Sequence, residues 1–187
     1  MHKSPASYRT VLIALTAATL TVGSSATARN DGAAWLDAAG GQNIKIWTPV
    51  PVPGESVRWA GSAESATGPG LAVWTVGADD TEQAAGEWKD GKLNGYAVWQ
   101  HLDGTRYEGQ WQDGLRHGFG IYTWPNGIRF CGEYEQGHRK TGVYYKADGK
   151  LQDPSTPISE LRKQIFESET AAMKARQAAS RVRRQSR

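Results

Sequence analysis

The sequence predicts an all-β fold, a single-layer antiparallel sheet of tandem β-hairpins, with a C-terminal α-helix. Three observations predict it. Residues 107–129, YEGQWQDGLRHGFGIYTWPNGIR, are flanked by two imperfect copies of themselves, AAGEWKDGKLNGYAVWQHLDGTR at 84–106 and FCGEYEQGHRKTGVYYKADGKL at 130–151. A period of about 23 residues marks a repeat array, in which each unit buries its face only against its neighbours. Within the central unit, Tyr107, Gly109 and Trp111 alternate with Glu108 and Gln110, the period of a strand with one apolar face. The composition agrees: eight Trp, seven Tyr and 22 Gly stand beside only two Met and three Phe, an aromatic-and-glycine chain suited to a thin sheet.

Set in register, the copies align column by column. Gly86, Gly109 and Gly132 share a column, Trp88, Trp111 and Tyr134 follow two residues later, and Gly91, Gly114 and Gly137 three residues after that. Asp103-Gly104, Asn126-Gly127 and Asp148-Gly149 close the units. The third copy is one residue short near Arg139 to Thr141, which brings Gly142 under Gly120 and Ala97. Each unit therefore reads as two short strands and two turns, because Gly takes positive φ without steric cost. Glycine on the aromatic face marks a place where something packs on bare backbone. The expected occupant is a ring from a neighbouring hairpin.

The remaining elements follow in order. Residues 1–28 read as a signal peptide: His2, Lys3 and Arg9 precede the apolar run VLIALTAATLTV, and Ala26-Thr27-Ala28 offers a cleavage site. That run is shorter than the roughly 20 residues a membrane span needs. The expected location is therefore periplasmic or extracellular, after cleavage near Ala28. Residues 29–55 read as a flexible, then extended, N-terminal segment: IKIWTPVPV, Ile44 to Val52, could form an edge strand, but Pro49, Pro51 and Pro53 remove ladder donors, so an extended strap or a covering edge segment is expected. Residues 56–83 read as a worn repeat, with Gly68 to Trp74 lining up with Gly118 to Trp124 and an acidic linker at Asp79-Asp80. Residues 84–151 hold the three clear repeats. Residues 152–187 read as a linker and a basic helix, with Thr156 as N-cap, Pro157 at its first turn, and Ile158, Leu161 and Ile165 on one face. This helix is expected to pack its first turns and fray beyond them.

Charge is segregated. From residue 158 onward there are eight Lys/Arg against three Asp/Glu, whereas residues 29–157 carry 12 against 16. Acidic repeats in an exported chain argue against nucleic acid, and the tail reads as a solvated helix end whose cations suit the helix dipole. The lone cysteine, Cys131, excludes an intramolecular disulfide. It reads as a strand residue on the face opposite Phe130, Gly132 and Tyr134, with an inter-chain link as the other option.

The columns resemble the MORN repeat, roughly Tyr-x-Gly-x-Trp-x-x-Gly-x-x-x-Gly-x-Gly. The central unit matches at Tyr107, Gly109, Trp111, Gly114, His117, Gly118 and Gly120. The first matches at Gly86, Trp88, Gly91, Gly95 and Trp99, with Ala84 and Ala97 in place of the aromatic and the glycine. The third matches at Phe130, Gly132, Tyr134, Gly137 and Gly142. The resemblance implies protein assembly or contact with a membrane or phospholipid surface.

No nucleophile elbow, phosphate loop or metal-ligand spacing stands out, so no catalytic residue, cofactor or metal is expected. His101, His117 and His138 are scattered near turns. The column Glu87, Gln110, Glu133 reads as the wet face of a sheet rather than an acid/base pair. The expected function is a non-catalytic interaction scaffold. Its binding surface would come from Trp88, Trp99, Tyr107, Trp111, Tyr122, Trp124, Tyr134 and Tyr144, with most of these rings packed on one another and function left to the uncovered ones. The structural glycines are Gly86, Gly109, Gly114, Gly118, Gly120, Gly132, Gly137 and Gly142. The expected partner is a protein or a membrane or envelope surface, with a homo-oligomer as a further option. The competing reading is an envelope carbohydrate binder that stacks exposed rings on sugars. A glycan hydrolase using a carboxylate pair is the weakest.

Overall fold

The computed structural model describes residues 33–40, 43–153 and 157–185. The expected signal peptide, its cleavage site and the Thr156 cap lie outside the described residues, and so does the side chain of Ile158. The strands are β1 (Ala34–Asp37), β2 (Lys45–Thr48), β3 (Glu55–Ala60), β4 (Gly68–Val76), β5 (Asp79–Lys89), β6 (Lys92–His101), β7 (Arg106–Gln112), β8 (Leu115–Thr123), β9 (Arg129–Glu135) and β10 (His138–Tyr145), followed by helix α1 (Ile158–Gln185). β3 to β10 form one eight-stranded antiparallel meander, each strand pairing with its neighbours in sequence. The all-β hairpin array with its C-terminal helix is thus as the sequence predicts.

Two turn types alternate along the meander. Inside each repeat, Asp90-Gly91, Asp113-Gly114 and Gln136-Gly137 take φ of +50° and +77°, +52° and +82°, and +48° and +85°. Positive φ at both positions of a two-residue loop follows the right-handed strand twist. Between repeats, the Asp103, Asn126 and Asp148 side chains accept the N–H two residues on, from Thr105 (2.7 Å), Ile128 (3.1 Å) and Lys150 (3.0 Å). The short polar side chain closes the turn that the backbone alone leaves open.

A row of glycines crosses the sheet. Consecutive partners run Gly70, Gly86, Ala97, Gly109, Gly120, Gly132, Gly142, one from each strand from β4 to β10. Rings lie on this bare backbone, but each comes from the same hairpin as the glycines it covers, not from a neighbouring one. Tyr107 covers the pair Gly109 and Gly120, where an added Cβ would meet its hydroxyl at 2.8 Å and its ring at 2.6 Å respectively. Phe130 covers Gly132 and Gly142, at 2.6 and 2.7 Å from such a Cβ. Side chains at i and i+2 share a face, so the ring leans along its own strand over the next glycine and its partner. The exception obeys the same geometry. Ala84 stands in the Tyr107 column, no ring covers the partner strand there, and the methyl of Ala97 takes the place of a hydrogen.

Two of the three residues in the polar column do not form a wet face, whereas Glu133 stays at the solvent edge beside Lys140. The register shifts at the same place in each repeat, between Gly86 and Trp88 and between Gly109 and Trp111. Glu87 Oε2 accepts the Tyr96 N–H at 2.7 Å and Gln110 Oε1 accepts the Phe119 N–H at 2.8 Å, donors that the bulge takes out of the ladder. Gly118, at φ +56°, lies against the Gln110 carboxamide. Gln110→Ala should therefore cost about 1–2 kcal/mol, the usual effect of orphaning a part-buried N–H. Chemical denaturation checks this, with Gln110→Glu, the residue type of the first and third repeats, expected to retain most of the stability.

α1 lies across the sheet on the face opposite the aromatic one. Ser168, Ala171, Ala172, Ala175, Ala178, Ala179 and Val182 are buried. Leu161 and Ile165 extend their line at the helix start, against a cluster of Ile121, Cys131 and Val143. Farther on, Ala175 and Ala179 meet Ala85 and Val98. The helix packs well past its first turns because small residues recur every three or four positions, which brings its backbone close to the strands. Arg176 reaches Glu108 at 3.0 Å, and Arg106 meets the same buried carboxylate at 2.6 Å. Cys131 sits under the helix, and burial pushes its thiol up to about 11. An inter-chain disulfide would require this layer to open.

Two N-terminal readings also change. Within 29–55, β1 and β2 pair as a hairpin, with Trp35 opposite Trp47. Asp79 and Asp80 open the long strand β5 rather than forming a linker, and Asp80 pairs with Arg58 at 2.7 Å.

Candidate binding face

The aromatic face splits into a filled floor and open walls. Trp88, Tyr107 and Tyr134 are buried. Trp88 donates its indole N–H to the Gly70 carbonyl at 3.0 Å, and its ring meets Trp59 edge-on at 5.2 Å. Tyr107 donates to the Gln110 carbonyl at 3.1 Å and packs edge-to-face on Trp111 and Tyr134, both at 5.1 Å. These rings serve packing. Trp99, Trp111, Tyr122 and Trp124 are half-buried, and Tyr144 is exposed. Trp111 still anchors its indole on the Ala97 carbonyl at 3.3 Å, the step that Trp88 makes one repeat earlier. The structural glycines all belong to the frame: Gly86, Gly109, Gly120, Gly132 and Gly142 in the row, Gly118 at the bulge, Gly114 and Gly137 in the turns.

The covering strap expected at Ile44 to Val52 forms, as part of a hairpin whose docking site the sequence did not specify. The β1–β2 hairpin docks on the repeat turns: Trp47 donates its N–H to the Gly91 carbonyl at 2.9 Å, and its ring presses on Gly114. Residues 47–50 then stand over the open rings. A groove of about 390 Å³ lies between this strap and Trp74, Trp88, Trp99, Trp111 and Tyr122. Its lining is mostly apolar, with two charged side chains, Glu82 and Arg116. Glu82 accepts the Trp99 indole N–H at 2.8 Å, which fixes that ring in the wall. The prolines of IKIWTPVPV signal the strap, whereas its pairing with the strand that carries Trp35 has no local signal.

A second cavity, of about 250 Å³, continues toward β10 between Arg116, Tyr122, Trp124, Tyr134, Gly137, His138 and Arg139. The Arg139 guanidinium lies 5.2 Å from the Trp124 ring centre, and that of Arg116 lies 5.1 Å from Tyr122. Guanidinium stacking on rings holds cation and aromatic wall together.

The carboxylates of the repeats do not converge as an acid/base pair. Glu87 caps a bulge, Glu108 is paired beneath the helix, and Glu133 meets Thr141 at 3.4 Å and Lys140 at 3.8 Å. His101 pairs with Asp103 in a turn at 3.0 Å, His117 belongs to the β8 bulge, and His138 is exposed. Among the described residues no helix is long and apolar enough to cross a membrane, and no cluster of His, Cys, Asp or Glu could hold a metal ion.

Fold and face together define a non-enclosing hairpin array that presents an aromatic surface. More particularly, the chain carries MORN repeats: the MORN repeat family model matches residues 85–106 and 107–129, which hold the β5–β6 and β7–β8 hairpins. Residues 130–151 fall outside the match, where Phe130 and Tyr134 replace Tyr and Trp and the unit is one residue short. No curated protein matches the chain. MORN repeats are in general involved in protein or membrane binding, and the family is generally non-catalytic.

Proposed function

We propose that the chain is an exported, non-catalytic scaffold that docks an extended segment of a partner protein in the groove under the N-terminal strap. The groove carries this reading. Trp99, Trp111 and Tyr122 keep open surface in a frame that buries their neighbours, and the strap leaves a channel rather than a closed core. Rigid rings lose little conformational freedom on binding, which makes them effective anchors. Export rests on the reading of residues 1–28 as a signal peptide.

The test is photo-crosslinking from a residue introduced at Val50, which is 76% exposed at the groove mouth. A discrete protein adduct in the cell envelope is expected, undiminished by added sugars. Trp99→Ala should weaken capture at least tenfold, in line with loss of a central aromatic anchor, when measured well below the variant's melting temperature, because Trp99 also packs on two core clusters. Retention on envelope polysaccharide, with tryptophan quenching by oligosaccharide and no protein adduct, would favour the carbohydrate reading. Sedimentation with anionic vesicles, unaffected by Trp99→Ala, would favour a membrane surface.

A further inference from the structure

The smaller cavity has features that the groove does not explain. Arg58, Arg106 and Arg176 each pair with a carboxylate, whereas among the described residues Arg116 and Arg139 pair with none. Arg116 donates one N–H to the Gly137 carbonyl at 3.0 Å and leaves its other donors unspent. Tyr134, at the floor, is 1% exposed, and its hydroxyl is buried without a partner. The column makes that vacancy specific. Trp88 and Trp111 satisfy their indole N–H on the Gly70 and Ala97 carbonyls, but the Tyr134 hydroxyl has no such acceptor. Burial pushes this phenol far above its usual range, with Arg116 and Arg139 pulling the other way, so it remains a donor at neutral pH. Two unpaired guanidiniums and an unpaired O–H in one small cavity leave an excess of donors and of positive charge.

We infer that this cavity is a subsite for a carboxylate, held by Arg116 and Arg139 with the Tyr134 hydroxyl as a further donor. The inference rests on the docking reading above. The cavity shares Arg116, Tyr122 and Gly137 with the larger groove, so a chain leaving it runs on between apolar rings. That suits a polypeptide carrying one carboxylate, either an Asp or Glu side chain or the C-terminus. Guanidinium geometry matches the two carboxylate oxygens.

The test uses the full chain, isotope-labelled, and follows its amide resonances. The probes are N-acetyl-aspartate amide, whose only carboxylate is its side chain, and N-acetyl-glycyl-phenylalanine, whose only carboxylate is terminal. Chloride and inorganic phosphate at matched ionic strength are the comparisons. Saturable shifts at Arg116, Tyr134 and Gly137 are expected with at least one carboxylate, and the tighter probe names the source. Arg139→Gln, at an exposed position, should weaken binding at least fivefold, as expected for loss of a charge-assisted contact. Tyr134→Phe should weaken it about threefold yet raise the melting temperature by about 2–4 °C, because it deletes an unsatisfied buried hydroxyl. No saturable shift with either carboxylate, tighter binding of phosphate, or full affinity in both variants would overturn the subsite. Intact Val50 cross-links without carboxylate binding would sink the subsite alone; carboxylate binding without those cross-links would sink only the docking groove.

Discussion

Gly109→Val should leave little folded protein at 37 °C. The position is extended, so the obstacle is space rather than backbone conformation. A Cβ there would stand 2.6 Å from the Gly120 Cα, 2.7 Å from the Phe119 carbonyl oxygen and 2.8 Å from the Tyr107 hydroxyl. Two of these are backbone atoms of the paired strand and cannot rotate away. The ring above is held on three sides by Trp111, Tyr134 and the glycine pair itself. Valine must therefore either part β7 from β8 or lift Tyr107 out of the core. Overpacking and loss of a buried aromatic each cost roughly 1–5 kcal/mol, and together they reach a large share of a domain's stability. The expected fall in melting temperature is at least about 10 °C, at some 2–4 °C per kcal/mol for a chain of this size. Gly104→Ala is the contrast. Its φ of +93° carries strain, but nothing lies within 4 Å of the added methyl, so the cost should stay near 1 kcal/mol. Equal melting curves for Gly109→Val and the parent would remove the ring-on-glycine account of the fold.

The same row shows what could be read from the chain and what could not. Aromatic, glycine and turn columns repeat at a fixed period, so hairpins, their order and their buried face follow from local chemistry. The direction of each ring does not follow, because register alone cannot say whether Tyr107 leans along its own strand or across to the next. Glu87 and Gln110 alternate like solvent-facing residues, and only the bulge, a three-dimensional irregularity, turns them into caps for stranded N–H groups. Alanine carries no periodic hydropathy signal strong enough to mark a face, so hydropathy does not mark the stripe from Ala171 to Val182 as buried. The groove was least legible. It needs Trp47, some 60 residues from the rings it covers, and the turn glycines whose bare backbone lets it dock. The eight rings proposed as a surface are thus sorted by the fold: three into the floor, five toward solvent.

Removing residues 158–187 should turn the protein into an aggregating species. The helix does more than guard the last edge, because it meets every strand from β4 to β10. Without it, Leu71, Ala85, Val98, Ile121, Cys131 and Val143 would face water on one continuous side of the sheet. At about 25 cal/mol per Å² of apolar surface, uncovering a face of this kind costs several kcal/mol. Glu108 would lose Arg176 and keep only Arg106 beside a carboxylate that the helix had covered. The aromatic face would still hold the hairpins together locally, so the truncated chain should retain β structure while exposing an apolar sheet, the state most prone to edge and face association. Dye binding to exposed apolar surface and light scattering should both rise, and Cys131 should become reactive toward a thiol reagent that leaves the intact protein untouched. Ala172→Arg, in the middle of the stripe, should reproduce much of this in the full-length chain, since a long cation cannot fit between helix and sheet where Ala172 is wholly buried. A truncated protein that stays monomeric, melts with the parent and keeps its thiol protected would show that the sheet stands alone and that the helix is an addition to a finished fold.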